Sequence, residues 1–283
     1  MESIVITCAD GYCLKGTFFE APRHGSRACV LICPATAVPQ TFYFKFCAWL
    51  ASQGYDVLVF DYRGIGQSLE GDLRDCEVSL QQWGELDQVA ALDWLLEKTG
   101  HPQALMIGHS AGGQMMGLLP NHRKIARVVS VAGSTGYFGG MPAPKRLIAT
   151  LVMKAYLPIS VHLFRYARTK SIGLGEDLPR RVALQWRDWC NRPGYVLNGI
   201  GNTIDQDYHA EFRAPITLVH ALDDWIATPA NVTDLLRLYP NAQSEVIRLD
   251  PKAFGYKTIG HIDMFRSSRH KVWPIIQQAL QAA

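Results

Sequence analysis

Short apolar runs alternate with amphipathic stretches over most of this chain, and the alternation breaks once, in the middle. Residues 4–7 and 14–19 read as two antiparallel strands around the Asp10-Gly11 turn. Ala28–Cys33 is a continuous apolar run ending at Pro34, as a parallel strand buried on both faces requires. Residues 42–52 carry helical periodicity and stop at Gly54; residues 56–60 form the next buried run. The pattern predicts a helix over 83–97, with Val89, Leu92 and Leu96 on one face and Gly100 as its stop. A strand at 104–107, a short helix at 113–119 and a strand at 127–132 follow.

From about Gly136 to Ala210 no strand of this kind appears, and prolines, tryptophans and basic residues become frequent. Ile216–Ala221 resumes the rhythm, then a helix at 231–238, a strand at 245–249 and a closing helix at 272–280. Strands alternating with helices imply βαβ units and a largely parallel sheet. The irregular middle reads as an insertion over the carboxyl edge of that sheet. The expected division is a core from 1–136 and 211–283, with an insert at 137–210.

Composition narrows the class. With 283 residues, 48% apolar and 19% charged, the chain can bury one large core. No stretch reads as a bilayer span, and the N-terminus lacks a basic start followed by an apolar run. Seven dispersed cysteines form no C-x-x-C pair and no Cys/His cluster at metal spacing. Seven reduced thiols suit a reducing compartment, and the cytoplasm is the expected location. A net charge of +3 gives no case for nucleic acid as a partner. Neither a metal nor a cofactor is expected, and the oligomeric state is left open.

The chemistry centres on Gly108-His109-Ser110-Ala111-Gly112. A strand should precede it and a helix follow. A sharp turn there lifts the serine hydroxyl clear of the backbone, and a Cβ at either glycine would clash with neighbouring elements. Serine is a weak nucleophile at neutral pH, so it needs a base, and the base needs an orienting acid. Asp224 lies in the loop after Ile216–Ala221, and His261 lies after the last strand behind Gly260. The order serine, acid, histidine is that of strand–turn–helix serine sites. Asp223 is the rival carboxylate; spacing favours Asp224, and Asp223 suits a cap or turn role. Two backbone N–H groups should stabilise the developing oxyanion. One is Ala111; the other should come from the loop 34–39, where Thr36 is the choice and Ala35 and Ala37 are alternatives. The Gly-rich run Asp61–Ser68 lacks a phosphate-loop ending, and Asp61 and Arg63 read as structural ties.

The strings Asp61-Tyr62-Arg63-Gly64-Ile65-Gly66-Gln67-Ser68, Gly108-His109-Ser110-Ala111-Gly112-Gly113 and Gly260-His261 resemble the serine-hydrolase branch of the α/β-hydrolase superfamily. The resemblance covers about residues 1–135 and 211–283. The middle is similar to bacterial members with a helical cap, through Gly173-Leu174-Gly175-Glu176-Asp177-Leu178-Pro179 and Gln185-Trp186-Arg187-Asp188-Trp189-Cys190. It implies a mostly parallel eight-stranded sheet flanked by helices, with an inserted helical cap. One departure bears on the second oxyanion donor: many relatives carry His-Gly where this chain has Pro34-Ala35.

The insert holds ten Lys or Arg against five Asp or Glu, a net +5. Among its aromatic residues Tyr137, Trp186 and Trp189 are the candidates to line a pocket for an acyl chain or ring. The leading expectation is hydrolysis of a small-molecule carboxylic ester or thioester through an acyl-enzyme on Ser110. Acyl transfer by the same triad is one alternative. A ligand-binding protein that kept the fold without catalysis is another.

Overall fold

The computed structural model describes residues 1–22 and 26–281. Its main sheet has eight strands: β1 (Glu2–Thr7), β2 (Cys13–Phe19), β3 (Ala28–Cys33), β4 (Tyr55–Phe60), β5 (Ala104–His109), β6 (Ile125–Val131), β9 (Ile216–Ala221) and β10 (Ser244–Leu249). Two short strands in the middle segment, β7 (Tyr166–Ala167) and β8 (Leu178–Pro179), pair antiparallel with each other. The spatial order in the main sheet is β1-β2-β4-β3-β5-β6-β9-β10. From β4 to β10 neighbours run parallel; β2 is antiparallel to both β1 and β4.

Burial explains why the strands read as they do. β9 is buried at all six positions and β3 at five of six, because helices cover both faces there. At the edge, β1 buries only Ile4 and Ile6 and alternates with exposed residues. The helix Phe44–Ser52 turns Phe46, Cys47, Leu50 and Ala51 into the core. A continuous helix over 80–99 contains a π turn at Trp83–Gln88. Its last turns bury Ala91, Leu92 and Leu95, so Val89 and Leu96 flank the packed face rather than forming it. Gly84 lets this helix pass close to the segment 115–118: a Cβ there would lie 3.0 Å from Leu118 and 3.1 Å from Met115.

The segment 137–210 contains the helix Ala143–Phe164 and the helix Arg180–Cys190; residues 191–210 are turns and one 3₁₀ stretch. It is fastened to the loop 34–39, to the 80–99 helix and to the helix Pro229–Leu236. Glu176 N–H donates to Ala37 O at 2.7 Å, Gln81 N–H to Gln185 Oε1 at 2.8 Å, and Asn231 Nδ2 to Tyr137 O at 3.0 Å.

One expectation changes here. The 22-residue helix Ala143–Phe164 is long and apolar enough, by length and composition, to cross a bilayer. In sequence the apolar run is broken by Pro144 and Pro158 and dotted with bases, which hid it. In the fold Pro144 sits in the first turn of the helix, and a π turn at Val152–Tyr156, closed by Leu157 N–H on Val152 O, carries it past Pro158. It lies against the protein along one face, through Ala149, Met153, Leu157 and Val161.

Candidate active site

β5 runs through the middle of the sheet and ends at His109; Ser110 follows with φ +48°, in the left-handed region. That strained turn is possible because its neighbours have no side chains. A Cβ on Gly112 would sit 2.0 Å from Cys33 O, and one on Gly108 would sit 2.3 Å from the Gly113 Cα. The expected helix at 113–119 does not form as a regular one. Ser110–Gly113 and Met116–Leu118 are 3₁₀ turns instead. Gly112, Gly113 and Gly117 disfavour a regular helix, and Gly117 lies tight against the His209 ring.

The loop after β9 carries Asp224, and the segment after β10 carries His261, which follows Gly260 at φ +65°. The three side chains meet. His261 Nε2 lies 2.9 Å from Ser110 Oγ, and His261 Nδ1 lies 2.7 Å from Asp224 Oδ2. Asp224 Oδ1 accepts from Ile226 N–H at 2.8 Å and Ala227 N–H at 3.0 Å, so both carboxylate oxygens are held. Burial alone would raise this carboxyl's pKa. The charge and hydrogen bond of His261, with the two N–H groups, outweigh burial and keep it below the usual carboxylate value. Asp224 thus stays ionised and takes Nδ1–H from His261, which leaves Nε2 free to accept the Ser110 proton.

Asp223 has a different employment. Its Oδ2 accepts from Ile259 N–H at 2.9 Å and its Oδ1 from Gly260 N–H at 3.1 Å. It grips the loop that carries His261 and makes no cap of its own turn.

Ala111 is buried beside Ser110, as the residue after it. In the loop 34–39 the candidates separate. Ala35 N–H already donates to the Tyr43 hydroxyl at 2.9 Å. Ala37 is buried with φ +61°, and its carbonyl is held by Glu176. Thr36 is part exposed. The far end of the loop is anchored by Asp61, whose Oδ1 accepts from Gln40 N–H at 2.6 Å and whose Oδ2 accepts from Gln67 N–H at 3.0 Å. Arg63 pairs with Asp87 at 2.6 Å and Asp10 at 2.7 Å beneath.

Sequence reasoning missed Tyr43 and His109. Tyr43 is fully buried, and its hydroxyl lies 2.7 Å from His109 Nδ1. His109 Nε2 lies 3.0 Å from the backbone carbonyl of His261. Burial pushes the His109 imidazole down to about 3, so it is neutral at neutral pH. A single tautomer then satisfies every partner. Nε2–H donates to His261 O, and Nδ1 accepts from Tyr43 O–H. The hydroxyl oxygen in turn accepts Ala35 N–H. The chain joins the loop 34–39 to the His261 loop under the serine. Its signal in sequence was weak: a histidine inside the elbow and a tyrosine in a helix start, 66 positions apart.

Of the three aromatic candidates, Trp189 is buried edge-to-face against Tyr195 and accepts at its carbonyl from Asn198, inside the middle segment. Trp186 and Tyr137 are half-buried. A surface cavity of about 630 Å³ is lined by Leu73, Arg74, Leu163, Phe164 and Tyr166 among others, and Ser110 is not part of it. Among the described residues no three His, Cys, Asp or Glu side chains cluster as metal ligands would. All seven cysteines are unpaired and, apart from Cys13, buried.

The model of the alpha/beta hydrolase family matches residues 24–270. No curated protein matches the sequence. Solved structures share the fold at low identity. An esterase from Pyrococcus furiosus, Pf2001, is 18% identical at a TM-score of 0.63, over 99% of this chain and 89% of that one. The alpha/beta hydrolase GrgF from Penicillium sp. sh18 is 18% identical at 0.62, over 99% and 97%. A monoacylglycerol lipase from Paleococcus ferrophilus is 15% identical at 0.56, over 95% and 98%.

Proposed function

The chain belongs to the alpha/beta hydrolase family, and from that premise we propose that it hydrolyses a small-molecule carboxylic ester or thioester through an acyl-enzyme on Ser110. The observation that carries this reading is the continuous hydrogen-bonded line from Ser110 Oγ through His261 to Asp224, at 2.9 and 2.7 Å.

In this reading Ser110 Oγ attacks the carbonyl carbon as His261 Nε2 takes its proton. The negative charge on the carbonyl oxygen is met by the N–H of Ala111 and the N–H of Thr36. Thr36 is preferred over Ala35 because the Ala35 donor is already engaged by Tyr43. His261 then returns the proton to the leaving alcohol or thiol. Water enters, loses a proton to His261 and attacks the acyl carbon, and Ser110 departs with that proton as the acid is released. Asp224 keeps His261 in the productive tautomer and stabilises the imidazolium. Residues 137–210 serve as a cap over this site, with Tyr137 and Trp186 as the aromatic surfaces open to an acyl group; Trp189 packs the cap itself. The unpaired thiols fit a cytoplasmic setting.

A fluorophosphonate probe tests the reading directly. It should label the wild-type protein at one residue, and Ser110→Ala should abolish both labelling and turnover of p-nitrophenyl esters. Labelling that survives in Ser110→Ala would move the nucleophile elsewhere. Labelling without turnover across a series of acyl lengths would remove the hydrolase assignment.

A further inference from the structure

The helix Ala143–Phe164 has two apolar stripes on opposite sides. Ala149, Met153, Leu157 and Val161, four residues apart, face the protein and are buried. Leu147, Leu151, Ala155, Ile159 and Leu163, also four apart and offset by two positions, face away and are exposed. Two positions along a helix are about 200° of rotation, so covering one stripe leaves the other bare. With Ile148, the large side chains of the outer stripe are 53–65% exposed, which is unusual for adjoining leucines and isoleucines.

The surrounding charge is one-sided. From Tyr137 to Gly175 there are six Lys or Arg and no Asp or Glu. Arg165 reaches Asp75 and Lys170 reaches Glu176. Lys145, Arg146, Lys154 and Arg168 have no carboxylate partner among the described residues. Lys145 lies over the Trp225 ring at 5.5 Å, in the same four-residue row as Ala149 and so on the protein side of the helix, whereas Arg146 and Lys154 are exposed and adjoin Leu147 and Ala155 of the bare stripe.

We propose that this outer face docks the protein on an anionic lipid bilayer surface, with the helix lying in the plane of the interface. The apolar stripe enters the boundary between headgroups and acyl chains while the bases meet phosphates. A second copy of the chain is the less suitable occupant. A two-fold contact would bring the same net-basic helix face against itself; the carboxylates near it, Asp75 and Glu176, are already paired with Arg165 and Lys170.

The test uses the full chain carrying Ser110→Ala, so the result does not depend on the chemistry at Ser110. Vesicles of phosphatidylcholine alone and of phosphatidylcholine with one-third phosphatidylglycerol are compared by co-sedimentation. Binding to the anionic vesicles should be at least about tenfold tighter, and should weaken as salt is raised. Leu151→Glu and Ile159→Glu, at exposed positions, should each weaken it by about tenfold or more while leaving the melting temperature unchanged. Arg146→Glu with Lys154→Glu should remove the preference for anionic lipid. Equal and negligible sedimentation with both vesicle types would overturn the proposal. So would full binding by the glutamate variants. Self-association that is lost in the same variants, without vesicle binding, would assign the face to a second copy instead.

Discussion

At the scale of single residues, two adjacent carboxylates divide two tasks. Asp224 holds the imidazole of His261, and Asp223 holds the backbone that carries it. Asp224→Asn should lower kcat by about 10⁴, because the amide cannot fix the same tautomer. Asp223→Asn keeps one acceptor and should act mainly on stability, with a much smaller fall in kcat. Steady-state kinetics and melting curves on both variants decide it, and equal losses of kcat would contradict the division. Spacing in the sequence singled out Asp224 as the acid. It gave no sign that Asp223 reaches Ile259 and Gly260, since that contact depends on how two loops close in space. His109 carries a pH consequence. Its folded pKa, about 3, lies below the ordinary histidine value of 6.5, so between these limits the unfolded chain binds the extra proton. The contribution of His109 to stability is therefore present above pH 6.5 and is lost as pH falls toward 3. The melting temperature of His109→Gln should depend less steeply on pH across that window than the wild type does. An unchanged slope would mean that His109 is not held neutral.

At the scale of elements, the buried parallel strands were the most legible part of the chain, because a strand covered on both faces must be apolar throughout. The helices after the elbow and around Trp83 were less so. The elbow is followed by 3₁₀ turns, where glycine propensity and close contacts act together, and the 80–99 helix contains a π turn that spans Gly84, where it passes close to Met115 and Leu118. The loop 34–39 shows the same limit. Its small residues pointed to a close backbone approach, whereas the assignment of each N–H depended on Tyr43. Tyr43→Phe should test what that hydroxyl does. The change leaves the Ala35 N–H and His109 Nδ1 without a partner in a buried place. The loop and the His261 backbone should then drift relative to Ser110, lowering kcat by about 10- to 100-fold with KM little changed. A loss of stability with kcat intact would reduce Tyr43 to a packing residue.

At the scale of the whole molecule, the sheet order places β5, β9 and β10 in one half, with only β6 between β5 and β9. Residues separated by 151 positions, Ser110 and His261, reach hydrogen-bonding distance because each follows a strand that points the same way. That much follows from alternation along the chain and from the handedness of parallel connections. The apolar outer face of the helix 143–164 does not, because which stripe is covered is decided only once the segment packs. The bond from Glu176 N–H to Ala37 O ties this segment to the loop 34–39. It makes residues 137–210 a splint for the loop 34–39, beyond the covering role proposed for them. Excising 137–210 would then do more than widen the choice of substrate. It would free the loop at Ala37, a non-glycine residue held at positive φ, and let it relax. The trimmed enzyme would be slow on the smallest ester, for want of rigidity rather than of a pocket.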